Sequence, residues 1–270
     1  MTLPTPAPDS TCLVTGASSG IGVELASILA ARGHGVTLVA RREDRLKALA
    51  DELATKHGVR AEVVSADLTD EAARDRIVDT VAERGLTVDV LVNNAGLSTT
   101  GPVATSEVAA ELRMIRTDVE AVVHLCSAFV PGMVQRGRGA VLNVASMAAF
   151  QPLPGQAGYA GSKSFVLSYT RAMAQELRGK GVVATALCPG PVETEFAEAA
   201  GFGELEAGDS LPKIMWVSAR EVAQAGIDGL DRGRDVVVPG TANRVMAGFA
   251  HLVPHRLLLP ILAKQHPALP

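Results

Sequence analysis

A serine, a tyrosine and a lysine have the spacing that proton transfer to a carbonyl oxygen requires. Tyr159 and Lys163 are four residues apart, and Ser146 precedes the tyrosine by thirteen residues. Residues at i and i+4 share one face of a helix, so both side chains can point into a single site. A phenol can donate a proton, a serine hydroxyl can hold an oxygen, and an ammonium can stabilise a phenolate. The set predicts acid–base chemistry on a carbonyl or an alcohol.

A glycine-rich segment near the start of the chain could hold a dinucleotide. The segment Thr15-Gly-Ala-Ser-Ser-Gly-Ile-Gly22 follows an apolar strand and opens a helical pattern. In this context a glycine turn binds pyrophosphate at the N-terminus of the helix. Gly16 would permit the tight turn, and Gly20 and Gly22 would let the backbone approach the phosphates. The alternative is an ordinary glycine turn before a helix.

The end of the second predicted strand distinguishes NADP(H) from NAD(H). A carboxylate there would bind the ribose diol and repel a 2′-phosphate. The chain has no acid at this point and carries Arg41 and Arg42 directly after the strand. Arginine binds phosphate in a planar, bidentate way, so the pair favours NADP(H). Alternatively, both arginines begin a solvated helix.

Asp67 and Leu68 close the third predicted strand. Asp67 could accept a hydrogen bond from the adenine amino group while Leu68 covers the ring. It could equally cap the helix that follows.

Charge and aromatic content argue against a nucleic-acid partner. The 270-residue chain has a net charge of −4 with no long run of either sign, and aromatic residues make up 3%. Basic grooves and aromatic stacking platforms are therefore not expected. The cysteines have no paired spacing, which favours buried thiols in a reducing compartment. Met1–Ser10 lacks the regions of a signal peptide, so we expect a cytoplasmic protein with a disordered tail over residues 1–10.

Short β-branched runs alternate with helical patterns from Thr11 to about Pro239, which predicts βαβ units and a parallel sheet. We expect an α/β fold over residues 11–240, with a single doubly wound, seven-stranded parallel sheet and helices on both faces. Predicted strands are Cys12–Thr15, Val36–Ala40, Ala61–Ser65, Val88–Val92, Ala140–Ala145, Val182–Leu187 and Val236–Val238. Predicted helices include Val23–Arg32, Arg45–His57 and Glu71–Arg84.

Two segments depart from this alternation. Phe196–Trp216 is irregular with scattered large apolar residues, which favours a lid over an apolar site, or else a surface helix and loop. For residues 241–270 we predict an apolar helical extension, in which Pro254 and Pro260 leave no run long enough to span a bilayer. We expect this extension to pack on a second subunit, then on its own chain, and only third to adsorb to a membrane.

The ordered motifs resemble those of the short-chain dehydrogenases/reductases, a family with a Rossmann-like fold. The resemblance covers about residues 11–240 and includes the glycine segment, Asn93-Asn-Ala-Gly96, Ser146, Tyr159-Ala-Gly-Ser-Lys163 and Pro189-Gly190. It implies an NADP(H)-dependent oxidoreductase that interconverts a carbonyl and a secondary alcohol. Tyr159 would be the acid and base, Ser146 would hold the substrate oxygen, and Lys163 would also bind the nicotinamide ribose.

The resemblance also suggests which residues contact the cofactor and how the subunits assemble. The residues expected at the cofactor are Gly16, Ser18, Ser19, Gly20, Ile21, Gly22, Arg41, Arg42, Asp67, Leu68, Asn93, Ala95, Gly96, Tyr159, Lys163, Pro189, Gly190, Val192 and Thr194. A homodimer or homotetramer is expected through helices equivalent to Leu112–Val130 and Tyr159–Leu177. No Cys, His or Asp cluster has the spacing of metal ligands, so no metal is expected.

A tyrosine must be made more acidic to act as a base at neutral pH. Its ordinary pKa is about 10, and lowering it to about 7 needs about 4 kcal/mol of differential stabilisation. We expect Lys163 and the positive nicotinamide of the oxidised cofactor to supply this in a partly desolvated pocket.

Asp118 departs from the family pattern, which usually has an asparagine there. In the family the main-chain carbonyl of that residue holds a water in a relay toward the lysine, and the carbonyl survives the substitution. An ionised Asp118 near Lys163 would stabilise the ammonium and partly offset its field at Tyr159. We therefore expect slower or pH-shifted turnover.

The expected substrate is a lipophilic small molecule, because apolar residues dominate the segments around the site. An alternative is a regulatory or scaffold protein that binds NADP(H) without turnover. The complete Ser146, Tyr159 and Lys163 set argues against it.

Overall fold

The computed structural model describes residues 3–196, 212–250, 255–265 and 269. Seven strands in this part of the chain form one sheet in the order β3-β2-β1-β4-β5-β6-β7, and every neighbouring pair is parallel. The strands are β1 (Ser10–Thr15), β2 (Val36–Ala40), β3 (Ala61–Ser65), β4 (Thr87–Asn93), β5 (Gly139–Val144), β6 (Val182–Leu187) and β7 (Val236–Val237). The predicted doubly wound α/β fold is confirmed.

Helices cover both faces of the sheet. The described helices are α1 (Gly20–Ala31), α2 (Glu43–His57), α3 (Glu71–Glu83), α4 (Val108–Ile115), α5 (Ala121–Arg136), α6 (Ala157–Glu176), α7 (Ala219–Asp231), α8 (Thr241–Ala250) and α9 (His255–Gln265). One core layer contains α1, α2 and α7, and the other contains α3, α5 and α6. Each face of the sheet is therefore buried, which explains why its strands are nearly continuous apolar runs.

Strand positions were better predicted than helix starts. Three predicted strands coincide with β2, β3 and β6, whereas α1 begins three residues before its predicted start at Val23 and α2 two residues before its predicted start at Arg45. Four of the five extra residues are glycines or charged residues of a first turn, such as Glu43 and Asp44, and the fifth is Ile21. They carry no apolar periodicity, so the sequence pattern could not include them.

The segment before β1 differs from the predicted disordered tail. Ser10 is the first residue of β1, and Pro4 is buried. The Leu3 amide donates to Asp231 Oδ1 at 2.7 Å, at the end of α7. Residues 3–10 therefore lie against the fold; Met1 and Thr2 are outside the described residues.

A π-helical turn joins α4 to α5. Arg116–Glu120 forms this turn, in which the Ala121 amide donates to the Arg116 carbonyl. Such turns add one residue to the helical repeat and occur frequently at functional sites. Asp118 lies in the turn and is 0% exposed. The family resemblance implied a helix over Leu112–Val130 but not the π turn.

The joined helix Val108–Arg136 is long and apolar enough, by length and composition, to cross a membrane, with a mean hydropathy of 1.2. In this protein α5 packs on β4 and β5 instead. Its apolar composition is accounted for by the core layer to which Leu125 and Cys126 belong.

A buried chain of polar side chains links the sheet to α6. Asn93 Nδ2 donates to Asn143 Oδ1 at 2.8 Å, and Asn143 Nδ2 donates to Thr170 Oγ1 at 2.9 Å. Thr170 in turn donates to the Val166 carbonyl at 2.7 Å. These bonds join β4, β5 and α6, so they fix the height of α6 over the sheet.

Removing the Asn143 side chain, which lies in the middle of this series of hydrogen bonds, should destabilise the fold. Asn143→Ala leaves the Asn93 amide with only a long contact to Cys126 Sγ and removes the donor to Thr170; a buried group left unsatisfied costs about 1–3 kcal/mol. We expect the free energy of unfolding, measured by urea denaturation, to fall by about 2–4 kcal/mol. Gln175→Ala is the control, since it removes an exposed amide that donates to Asp235; its effect should stay within about 0.5 kcal/mol. Equal effects of the two variants would contradict a structural role for this series of hydrogen bonds.

Candidate active site

A cleft of about 1090 Å³ lies at the carboxyl ends of the strands. The chain order of the strands reverses between β1 and β4, and ligands of doubly wound sheets bind at this switch point. The cleft extends from the glycine turn after β1 to the segment that follows β6. Its position is therefore set by the topology of the sheet.

Ser146, Tyr159 and Lys163 meet in this cleft, as their spacing predicted. Tyr159 and Lys163 lie one turn apart on α6, with Lys163 Nζ 5.7 Å from the centre of the Tyr159 ring. Ser146 follows β5 and accepts a hydrogen bond from the Ala148 amide at 3.1 Å. The Ser146 hydroxyl lies close enough to the Tyr159 phenol to lower the pKa of that phenol. Two hydroxyls are thus positioned to bind one substrate oxygen.

Asp118 and Lys163 form a buried ion pair behind Tyr159. Lys163 Nζ lies 2.9 Å from Asp118 Oδ2, and the two side chains are 5% and 0% exposed. The ammonium also donates to the Val144 carbonyl at 3.2 Å, and the Leu97 amide donates to Asp118 Oδ1 at 2.7 Å. Asp118 does not line the cleft. It is a positioning residue that acts through Lys163, near which the sequence analysis placed its charge.

Burial and pairing act in opposite directions on each partner. Burial lowers the pKa of Lys163, but the negative charges of Asp118 and Tyr159 together outweigh this, and the pKa ends above its usual value. Burial leaves the pKa of the Asp118 carboxyl above its usual value, although Lys163 and the Leu97 amide lower it. The ammonium is therefore held in its charged form, next to a carboxylate that cancels part of its field.

The pKa of Tyr159 lies above its ordinary value, because burial of the phenol outweighs the effects of Lys163 and Ser146 that lower it. Asp118 adds to the increase. The net effect of the protein's own groups is therefore to raise the pKa of this tyrosine. The expectation of an acidic phenol would have to rest on the positive charge of the oxidised cofactor.

The glycine turn fits a dinucleotide. Gly16 and Gly20 have φ values of +66° and +54°, a region that favours glycine. The first amides of α1 have no side-chain cap, so they remain available for phosphate oxygens. Ser18, Ser19 and Ile21 line the cleft beside them.

Gly22 serves a different purpose from the expected approach to pyrophosphate. It does not line the cleft, and a Cβ placed on it would meet the Gly16 carbonyl and Asn94 Nδ2. Its absent side chain lets the first turn of α1 pack against the glycine turn.

The asparagine at the cleft is Asn94, where the sequence favoured Asn93. Asn93 is buried and bonded to Asn143, whereas Asn94 lines the cleft with Ala95 and Gly96. Asn94 Nδ2 donates to the Thr15 carbonyl at 3.0 Å, which ties β4 to the glycine turn. The alternation of a strand puts neighbouring side chains on opposite sides, and this could have raised Asn94 as a candidate.

At the adenosine end, Arg41, Arg42, Asp67 and Leu68 all line the cleft. The Asp67 carboxylate accepts from the Thr69 amide and hydroxyl at 3.0 and 2.9 Å. The cap of α3 is Asp70, not Asp67, which overturns the capping alternative. Arg42 donates to the Ser18 and Ser19 hydroxyls at 3.0 and 2.8 Å through its Nη2 atom.

The segment after β6 closes the other side of the cleft. Pro189, Gly190, Val192 and Thr194 line it. A Cβ on Gly190 would meet the side chain of Asn243 at 2.5 Å. Asn243 of α8 is fully buried and donates to the Met215 and Pro239 carbonyls, both at 3.0 Å. Sequence analysis did not identify this contact, because the residues are far apart in the chain.

The predicted lid is only partly described. Residues 197–211 lie outside the described residues, so the lid hypothesis remains a prediction. The Phe196 ring lies 6.0 Å from that of Tyr159, and Met215 and Trp216 line the cleft. Met246 of α8 and Leu262 of α9 line it too. Within residues 3–196, 212–250, 255–265 and 269, no group of three or more His, Cys, Asp or Glu residues could hold a metal ion.

The fold, the glycine turn and the Ser146–Tyr159–Lys163 group define a nicotinamide-dependent oxidoreductase. Residues 10–203 match the family model for short chain dehydrogenase, and the chain belongs to this family. It is 35% identical to a serine 3-dehydrogenase from Rhizobium radiobacter over 216 residues, covering 79% of this chain and 84% of the relative.

Solved structures agree with this assignment. A short-chain dehydrogenase from Sphingobium yanoikuyae in complex with NADPH has a TM-score of 0.80 at 33% identity, with 93% of this chain and 95% of that one covered. A 7β-hydroxysteroid dehydrogenase has a TM-score of 0.81 at 25% identity, with 92% and 93% covered. The protein is an NADP-dependent oxidoreductase that acts on small molecules with an alcohol or carbonyl group.

Removing the charge of Asp118 should make Tyr159 more acidic. Asparagine keeps an acceptor for the Leu97 amide but no longer raises the tyrosine pKa. Alcohol oxidation requires the phenolate, so its rate rises with pH through this pKa. For Asp118→Asn we expect the rising limb of kcat/KM to move down by about one pH unit, with higher activity near neutral pH.

Glu120→Gln is the matched control. It removes a carboxylate two residues away, in the same π turn, that is half exposed and faces Arg74. Its pH profile should equal that of the unaltered protein. An unshifted profile for Asp118→Asn would contradict the proposed electrostatic coupling.

Proposed function

We propose that this protein interconverts a lipophilic ketone and the corresponding secondary alcohol, with Tyr159 as the acid and base. The observation that carries the proposal is that the Ser146 and Tyr159 hydroxyls lie close together in the cleft. A carbonyl oxygen placed between the two would accept from both. When bound in this cleft, NADPH would supply the hydride that the carbonyl carbon accepts.

In the reductive direction the phenol of Tyr159 gives its proton to the carbonyl oxygen. Its raised pKa means that the proton is present at neutral pH before reaction. Ser146 fixes the oxygen, and its own hydroxyl is oriented by the Ala148 amide. Lys163 lies beneath the ring and stabilises the phenolate that forms. In oxidation the same groups act in reverse.

The adenosine end supports NADP(H) through its arginines. Arg41 and Arg42 lie at the end of β2 and line the cleft, where a 2′-phosphate would sit beside the ribose. The Asp67 carboxylate is on the neighbouring strand end, and its contact with adenine remains part of the proposal.

The lining near Tyr159 supports a lipophilic substrate. It includes Phe150, Leu153, Phe196, Met215, Trp216 and Leu262. Such a surface binds extended apolar molecules through their hydrophobic area. The hydroxysteroid dehydrogenase with a similar fold is consistent with this, while the serine 3-dehydrogenase shows that family membership alone does not choose the substrate.

We also propose a homo-oligomer. Val108 and Leu112 of α4 and Phe165 of α6 are 71%, 48% and 40% exposed. These helices lie in or beside the ranges that the sequence analysis assigned to subunit contacts, and burial of such side chains is what an interface supplies.

Replacing the phenol by a phenyl ring should separate turnover from binding. We expect Tyr159→Phe to reduce NADPH oxidation with lipophilic ketones by at least about 10³-fold, since it removes the proton donor. NADPH affinity, measured by protein fluorescence, should stay within about threefold because the ring and Lys163 remain. Tyr169→Phe is the control and should retain activity.

Two results would contradict the proposal. Comparable turnover by Tyr159→Phe would exclude its role as the acid. Tight NADPH binding without turnover on any bulky ketone, small polar carbonyl or 3-oxoacyl thioester would favour the non-catalytic alternative.

A further inference from the structure

Glu195 connects the segment after β6 to the start of α2. Its Oε2 atom lies 2.7 Å from Arg42 Nη1, and its Oε1 atom lies 2.7 Å from Arg45 Nη1. The three side chains are 40–48% exposed. Arg45 is one helical turn beyond Arg42, so the two guanidinium groups form a fork around one carboxylate.

Apart from Nη1, the donor nitrogens of Arg42 point into the glycine turn. Its Nε atom donates to the Ser18 hydroxyl at 3.1 Å, and its Nη2 atom donates to the Ser18 and Ser19 hydroxyls. Only the Nη1 side faces outward, and that side is the one paired with Glu195. An anion that binds Arg42 from the cleft must replace Glu195 or the serines.

Glu195 remains an anion at neutral pH. Its hydrogen bonds with Arg42 and Arg45 lower the pKa of its carboxyl below the usual value. A second anion at the same fork would therefore be repelled by it. A 2′-phosphate carries a charge of about −1.5 to −2 and three acceptor oxygens, so it binds the fork more strongly than one carboxylate does.

We propose that Glu195 is an internal competitor of the cofactor's 2′-phosphate for Arg42 and Arg45, and so limits the preference for NADP(H) over NAD(H). This inference rests on the proposed function, in which Arg42 binds that phosphate. Cofactor binding breaks the two ion pairs of Glu195, and cofactor release restores them. A cofactor without the phosphate leaves the pairs in place.

The test uses the phosphate-bearing half of the cofactor, so that no turnover is involved. Dissociation constants of adenosine 2′,5′-bisphosphate and of ADP are measured by calorimetry for the unaltered protein and for Glu195→Gln. We expect the bisphosphate to bind about three- to tenfold more tightly to the variant, in line with two exposed ion pairs that no longer compete. ADP affinity should stay within about twofold.

Glu193→Gln is the matched control. It changes the net charge equally on the same exposed segment, and among the described residues Glu193 forms no ion pair. Its affinities should equal those of the unaltered protein, since an exposed charge outside the fork is screened by salt.

Bisphosphate binding by Glu195→Gln that is unchanged or weaker would overturn the inference. Weaker binding would in addition show that the Glu195 carboxylate holds Arg42 in place. Arg42→Gln separates this failure from that of the proposed function. If Arg42 binds the phosphate, its loss weakens the bisphosphate and spares ADP, whatever Glu195 does. If both ligands bind Arg42→Gln as before, the phosphate site itself is misassigned.

Discussion

The buried ion pair between Lys163 and Asp118 is the interaction on which the active site depends. It joins α6 to the π turn between α4 and α5, and its other bonds reach the Val144 carbonyl and the Leu97 amide. A buried ion left without its partner is strongly destabilising, so the two side chains must be placed together. Four separate elements are thereby held at the distance that puts Lys163 beneath Tyr159.

The ion pair also affects the pKa of Tyr159. The carboxylate that keeps Lys163 charged also opposes the effect of that charge on the phenol, and burial of the phenol adds to the opposition. The free protein therefore holds Tyr159 protonated, which suits donation of a proton to a ketone. A phenolate suited to alcohol oxidation depends on a further positive charge, which the oxidised nicotinamide carries.

Sequence patterns were sufficient where local spacing decides the structure. The strands, the glycine turn and the Tyr159–Lys163 pair follow from short-range periodicity and were predicted. The contacts that the sequence missed depend on residues distant in the chain. Asn243 meets Gly190, Glu195 meets Arg42, and Arg74 reaches Glu120 at 3.6 Å. The π turn escaped prediction because one inserted residue scarcely disturbs an apolar pattern.

The protonation of Tyr159 can be measured directly, because the chain has only two tyrosines. In Tyr169→Phe the ultraviolet absorbance of tyrosinate reports Tyr159 alone. Titration of the free protein should give a pKa above the ordinary value of about 10, and saturating NADP⁺ should lower it. A pKa at or below about 10 in the free protein, or no change with NADP⁺, would contradict a phenol whose pKa the protein raises and the oxidised cofactor lowers.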